Sequence, residues 1–340
     1  MIDRPSLRTA FLTRSGWGAA RMTDLAGDAS NRKYFRLNHN GKQAVLMDAP
    51  PNTDENIGPF IAISKFLRDQ SLSAPEILAA DQNAGFLLLE DLGDALFARV
   101  VATNPGFEQA LYQAATDVLI HLHQADTPPE IAVYDAPLLA DLAALAFDWY
   151  AHGATGQDYA DQRAAFVRAF EPRFAELDGL TDVLVQRDYH AENLLWLPSR
   201  SGVARVGLLD FQDAMKGHRA YDLVSLLQDA RRDVSSQIET EMIGYYVSAA
   251  GVERTSFETA YALLGLQRNL RIIGVFARLC LRDAKTHYLD MIPRVWAHMT
   301  RDLERACLPK LETDLLADLP VPDANTLTIL RQKCGTFQDQ

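Results

Sequence analysis

The sequence predicts an α+β protein of two lobes, a small N-terminal antiparallel sheet plus one helix and a large, mostly helical C-terminal lobe. Three observations predict it. Residues 1–93 have a strand-rich rhythm punctuated by turn residues. From residue 94 onward, long segments place apolar side chains at helical spacing. The helical regime is broken between Val183 and Leu209, where short apolar strands carry a cluster of acids and amides.

In chain order, Arg32–Leu37 and Gln43–Asp48 read as two strands joined through Asn38-His39-Asn40-Gly41. An Asn/Gly cluster tolerates positive φ and marks a hairpin. After Pro50-Pro51, a helix is expected from about Glu55 to Leu67, burying Phe60, Ile63, Phe66 and Leu67. Strands follow near Ile77–Ala80 and Phe86–Glu90, and Glu90-Asp91-Leu92-Gly93-Asp94 links the lobes. Amphipathic helices are expected near 107–124, 138–152, 159–176 and 219–229, and from 236 to beyond 300. The interrupting strands are Val183–Val185, Leu194–Leu197 and Val206–Leu209. The expected domains are 1–93 and 94–340.

A net charge of -12 argues against a nucleic-acid surface. Cys280, Cys307 and Cys334 lack metal-ligand spacing and read as reduced thiols. Arg4, Arg8 and Arg14 without an apolar run argue against a secretory signal, and no apolar stretch is long enough to span a bilayer. The expectation is a cytoplasmic protein acting on a small molecule, with no nucleic-acid or membrane partner. Oligomeric state is not legible.

The chemistry concentrates in VQRDYHAENLLW and VGLLDFQ. Asp188 precedes Asn193 by five residues, and Asp210 ends an apolar strand. Phosphoryl transfer asks for a carboxylate to orient the acceptor hydroxyl and take its proton, which suits Asp188. It also asks for hard oxygen ligands to Mg²⁺, which suits Asn193 and Asp210. His190 is placed to brace the loop. Asp222 is either a loop brace accepting backbone N–H groups or an ordinary acid in the first turn of a helix.

RDYHAEN followed by LLDFQDAMKGHRAYDLVSLL resembles the aminoglycoside phosphotransferase superfamily. That resemblance implies a protein-kinase-like fold and use of ATP with Mg²⁺. GDASNRKYFRL, VLMDAPP, GFLLLEDLGD and LLDFQDA further resemble the anomeric N-acetylmuramate/N-acetylglucosamine kinases of cell-wall recycling. On the same resemblance, Val45 and Leu195 would sandwich adenine, with the main chain of Glu90 and Leu92 at its edge.

Two departures stand out. The lysine that a kinase carries on its third strand is replaced by Met47, and Gly27-Asp28-Ala29-Ser30-Asn31 holds a single glycine. Ser30, Arg32 and Lys33 are therefore the candidate phosphate ligands, with Arg36 also considered. Alternation puts Arg32 and Arg36 on the face opposite Lys33. A weakly active nucleotide-binding regulator is the alternative that the missing lysine permits.

For the acceptor, Arg268, Arg271, Arg278 and Arg282 fall within about 80° of one helix face. Leu266, Leu270, Ile273, Ala277 and Cys280 lie opposite. The arginine face is either solvated or an anion site, with Arg271 and Arg278 the candidates for a substrate carboxylate. The other acceptor reading is an aminoglycoside or an amino alcohol. It would draw on acids such as Asp229, Asp233 and Glu239, while Trp149 and Tyr150 could stack on a sugar.

Overall fold

The computed structural model describes residues 3–25, 32–51, 56–177 and 179–337. Its chain divides into two compact units, residues 1–118 with 191–214, and residues 119–190 with 215–340.

The first unit is built on a five-stranded antiparallel sheet of order β1-β2-β3-β5-β4. Its strands are β1 (Arg21–Leu25), β2 (Lys33–His39), β3 (Lys42–Asp48), β4 (Ile77–Asp81) and β5 (Phe86–Glu90). The β2–β3 turn is the two residues Asn40 and Gly41, with φ of 52° and 78°. Two successive left-handed residues give the tight hairpin whose twist matches the strands.

Phe35, Leu37, Ala44, Leu46, Phe86 and Leu88 line one face and pack under Phe11 and Leu12 of helix α1 (Arg4–Arg14). That helix is an addition to the expected elements. Its few apolar residues make a weak pattern, but Asp3 caps it by accepting the Ser6 N–H at 2.9 Å. Arg4 then anchors it to Asp48 at 2.6 Å. Helix α2 spans Gly58–Asp69, a few residues later than expected, and buries Phe60, Ile63 and Leu67.

Helix α3 (Phe97–Thr103) belongs to this unit, and α4 (Glu108–Leu122) runs from it into the second. The second unit adds α5 (Ala136–Ala143), α6 (His152–Thr155), α7 (Ala160–Ala175), α8 (Tyr221–Leu227) and α9 (Ser236–Ala250). It continues with α10 (Arg254–Leu281), α11 (Ile292–Arg305), α12 (Pro309–Asp318) and α13 (Ala324–Gln332).

Short strands complete the fold. β6 (Val183–Val185) pairs with β9 (Met215–Gly217), and β7 (Leu194–Trp196) pairs with β8 (Val206–Leu208). The β7–β8 hairpin groups with the N-terminal sheet because main-chain bonds tie it there. Trp196 N–H donates to Ala95 at 2.8 Å and Leu208 N–H to Ser73 at 2.9 Å. The compact units therefore part differently from the expected boundary at residue 93.

Two expected helices are subdivided. The 138–152 segment becomes α5, a π-helical turn over Ala146–Ala151, and α6. Gly274 of α10 faces that bend, where an added Cβ would lie 2.3 Å from the Leu145 carbonyl carbon. The run from 236 breaks at Gly251, which caps α9 with φ of 65° and donates its N–H to Val247.

Candidate active site

Asn193 and Asp210 flank the β7–β8 hairpin at one end, so the pairing of Leu194 with Leu208 sets them side by side. Leu209 N–H donates to the Asn193 carbonyl at 3.0 Å, and Asn193 Nδ2 to Asp210 Oδ2 at 3.4 Å. Asp210 is exposed, has φ of 56°, and accepts Gln212 Nε2 at 2.8 Å. A carboxylate beside an amide suits Mg²⁺, because that ion takes few protein ligands and keeps water and phosphate oxygens. Among the described residues no group of three or more His, Cys, Asp or Glu could hold a metal. The two-ligand arrangement fits a magnesium ion shared with a polyphosphate.

The sheet register sorts the phosphate candidates by face. Arg36 stands opposite Val45, and Tyr34 opposite Met47, whereas Lys33 stands opposite Asp48 on the face covered by α1. The register thus removes Lys33 from the Val45–Met47 face. Arg36 shares that face but is engaged, with Nε 2.6 Å from Asp91 and Nη1 2.7 Å from Asp94. Hydrogen bonding to Asp94, with Asp91 adding to it, raises the guanidinium pKa further. Arg32 shares the parity of Arg36 and is half-buried. Ser30 lies outside the described residues.

Leu92 and Leu195 converge over Gly207, where a Cβ would lie 3.2 Å from Leu92 Cδ1 and 3.0 Å from Leu195 Cβ. Glu90 N–H is taken by the Glu76 carbonyl at 2.8 Å, and its carboxylate by Arg200. Its N–H is thus already engaged.

Asp188 stands in the second unit, on the loop after β6, and is half-buried. Burial pushes its carboxyl upward, but the positive charges of Arg271, Arg268 and Arg187 outweigh that and hold it below the usual carboxylate range. The loop is braced from beneath. Asp222 accepts the N–H of Gln186 at 2.6 Å and of Arg187 at 2.8 Å. Burial pushes Asp222 up to about 7, while those two N–H groups favour the charged form. It also lies in the first turn of α8, so both sequence readings describe the same residue.

Burial brings His190 down to about 4. The neutral ring accepts from Arg231 Nη1 at 3.3 Å through Nε2. Sequence reasoning missed Arg231, Ser225 and Tyr134 here. Tyr134 lies far back in the chain with no motif around it. Ser225 was findable, one helical turn after Asp222.

The arginine face of α10 is buried at one end and exposed at the other. Arg268 is 3% exposed, with Nη2 donating to Ser225 Oγ at 2.8 Å and Nε and Nη1 buried without partners. Arg271 and Arg278 are half-buried, and only Arg282 is exposed. Arg282 pairs with Asp283 at 2.7 Å. Among the described residues, Arg268, Arg271 and Arg278 make no ion pair, in a chain with 45 acids and 33 bases. Tyr150 is fully buried, its hydroxyl bonding Pro320 at 2.7 Å, and Trp149 packs on Phe337. Tyr150 is thus a packing residue, whereas Trp149 is half-buried.

Residues 21–259 match the phosphotransferase enzyme family. The chain belongs to that family. This kinase chain is also 39% identical to an N-acetylmuramate/N-acetylglucosamine kinase of Caulobacter vibrioides, over 87% of its own length and 92% of that protein's. A kinase of the same description from Pseudomonas putida is 34% identical over 90% and 91%. The α+β, kinase-like fold is shared with choline kinase LicA of Streptococcus pneumoniae. The TM-score is 0.61 at 14% identity, covering 87% of this phosphotransferase and 99% of LicA. No helix among the described residues is long and apolar enough to cross a membrane.

Proposed function

We propose that the protein is an ATP-dependent kinase that phosphorylates a hydroxyl of N-acetylmuramate and N-acetylglucosamine. The observation that carries this reading is the similarity, along about nine-tenths of the chain, to kinases named for those two sugars. In this reading Asp188 orients the acceptor hydroxyl and accepts its proton, and its depressed pKa keeps it ionised for that purpose. Asn193 and Asp210 would hold Mg²⁺, which when bound neutralises phosphate charge. Asp222 and His190 brace the loop.

On the nucleotide side, the first unit would bind ATP between Val45 and Leu195, with Leu92 at the edge. Arg32 is the cation we favour in place of the strand lysine. Arg271 and Arg278 would receive the carboxylate of N-acetylmuramate, since a guanidinium fork matches carboxylate geometry. A polycationic antibiotic is a poorer fit. Glu239 is already bound by Arg301 at 2.8 Å, Asp233 by Arg294 at 2.6 Å, and Asp229 is fully buried.

The test is ATP consumption against a panel of acetylated amino sugars, aminoglycosides and amino alcohols. Turnover should appear with the acetylated sugars and vanish in Asp188→Asn. Preference for an aminoglycoside would overturn the reading. Binding of Mg-ATP without turnover on any acceptor would favour a nucleotide-binding regulator.

A further inference from the structure

Arg187 has three features that the reading above leaves unused. Its φ of 72° lies in the left-handed region, where glycine is at ease and a side chain is strained. Its main chain is held at both ends. The N–H goes to Asp222 at 2.8 Å, and the carbonyl accepts Ser225 Oγ at 3.3 Å. Its guanidinium carbon stands 5.1 Å from the Tyr134 ring centroid, within cation–π range.

Tyr134 is itself fixed, its hydroxyl 3.1 Å from that of Tyr221 and the two rings edge-on at 5.1 Å. A turn of this conformation would take glycine or asparagine more readily than arginine. The backbone therefore gives no reason for this side chain, whereas its neighbour in the chain, Asp188, does.

We propose that Arg187 is a positioning residue for phosphoryl transfer, its guanidinium held against Tyr134 so as to fix the adjacent Asp188 carboxylate toward the acceptor hydroxyl. Its charge adds to those of Arg271 and Arg268 in keeping Asp188 ionised. The inference rests on Asp188 being the base.

The test uses the full-length chain with ATP and N-acetylglucosamine, a neutral acceptor, so that carboxylate recognition does not enter. Arg187→Gly and Arg187→Asn should melt at or above the wild-type temperature, because both residues suit the left-handed turn. Their kcat should fall on the order of 100-fold, the scale of a mispositioned general base, with KM changed little. Arg187→Lys should keep more activity than either. Guanidinium added at a low, non-denaturing concentration should restore part of the Arg187→Gly activity.

Near-wild-type kcat in Arg187→Gly overturns the proposal. So does a loss of activity that follows a fall in melting temperature, because the side chain then serves only the fold. An active Asp188→Asn variant would instead remove the base assignment, so the two failures are distinguishable.

Discussion

The Asp222 carboxylate accepts the main-chain N–H of Arg187 at 2.8 Å, while its other oxygen takes the N–H of Gln186 at 2.6 Å. One buried side chain thus holds two successive peptides leading into Asp188. Asp222→Asn keeps the shape but offers one acceptor, turning an NH₂ group toward a backbone donor. That leaves a buried N–H unsatisfied, which costs about 1–3 kcal/mol. The expected outcome is a lower urea midpoint together with reduced turnover. An unchanged midpoint would show that the loop is held by other contacts.

At Gly274, α10 crosses the Leu145–Ala146 main chain so closely that an added Cβ would lie 2.3 Å from the Leu145 carbon and 2.4 Å from its oxygen. Backbone cannot step aside as a side-chain tip can. Gly274→Ala should therefore destabilise by about 1–3 kcal/mol or more, despite alanine's better helix propensity. Denaturant titration would decide it, and a stabilised variant would mean that the crossing relaxes at little cost.

The two sheet-building hairpin strands were legible because Asn40-Gly41 sits between clear alternations, and Phe86–Glu90 was legible as an apolar run bounded by turns. That Asn193 and Asp210 adjoin was legible because the short strands that carry them pair with each other. Helix α1 was not, since its stability comes from tertiary anchors such as Arg4 to Asp48 rather than from its own pattern. The arginine side of α10 was legible only in part. Helical spacing separates two faces but cannot say that both are covered, and Arg268 is buried on the polar one. Which face of the sheet Lys33 occupies followed from alternation, but that Arg36 is taken by Asp91 and Asp94 required the fold.

Arg271 and Arg278 lie seven residues apart on one side of α10 and make no ion pair among the described residues. Burial lowers the pKa of Arg278, and its Nε has no partner. If they receive a carboxylate, Arg271→Ala and Arg278→Ala should raise KM for N-acetylmuramate about 10- to 100-fold, the scale of a charged hydrogen bond lost. KM for N-acetylglucosamine should change far less. Equal effects on both sugars would assign the pair to the fold or to the Asp188 field.

His190 carries a pH signature whose sign follows from its burial. Its ring sits at about 4 in the fold, against 6.5 when unperturbed. Between those values the unfolded chain binds a proton that the native protein refuses, so stability falls as pH drops from 6.5 toward 4. Below 4 both states are protonated and the slope ends. The full effect is about 3 kcal/mol. His298, brought down to about 4, acts in the same direction, while Asp302, pushed up to about 8 by burial, acts oppositely. The comparison must therefore be a difference. Urea midpoints for wild type and His190→Gln, measured from pH 7 to 4, should converge as pH falls, because only the wild type loses this contribution. Parallel curves would mean that His190 titrates alike in both states and is open to water.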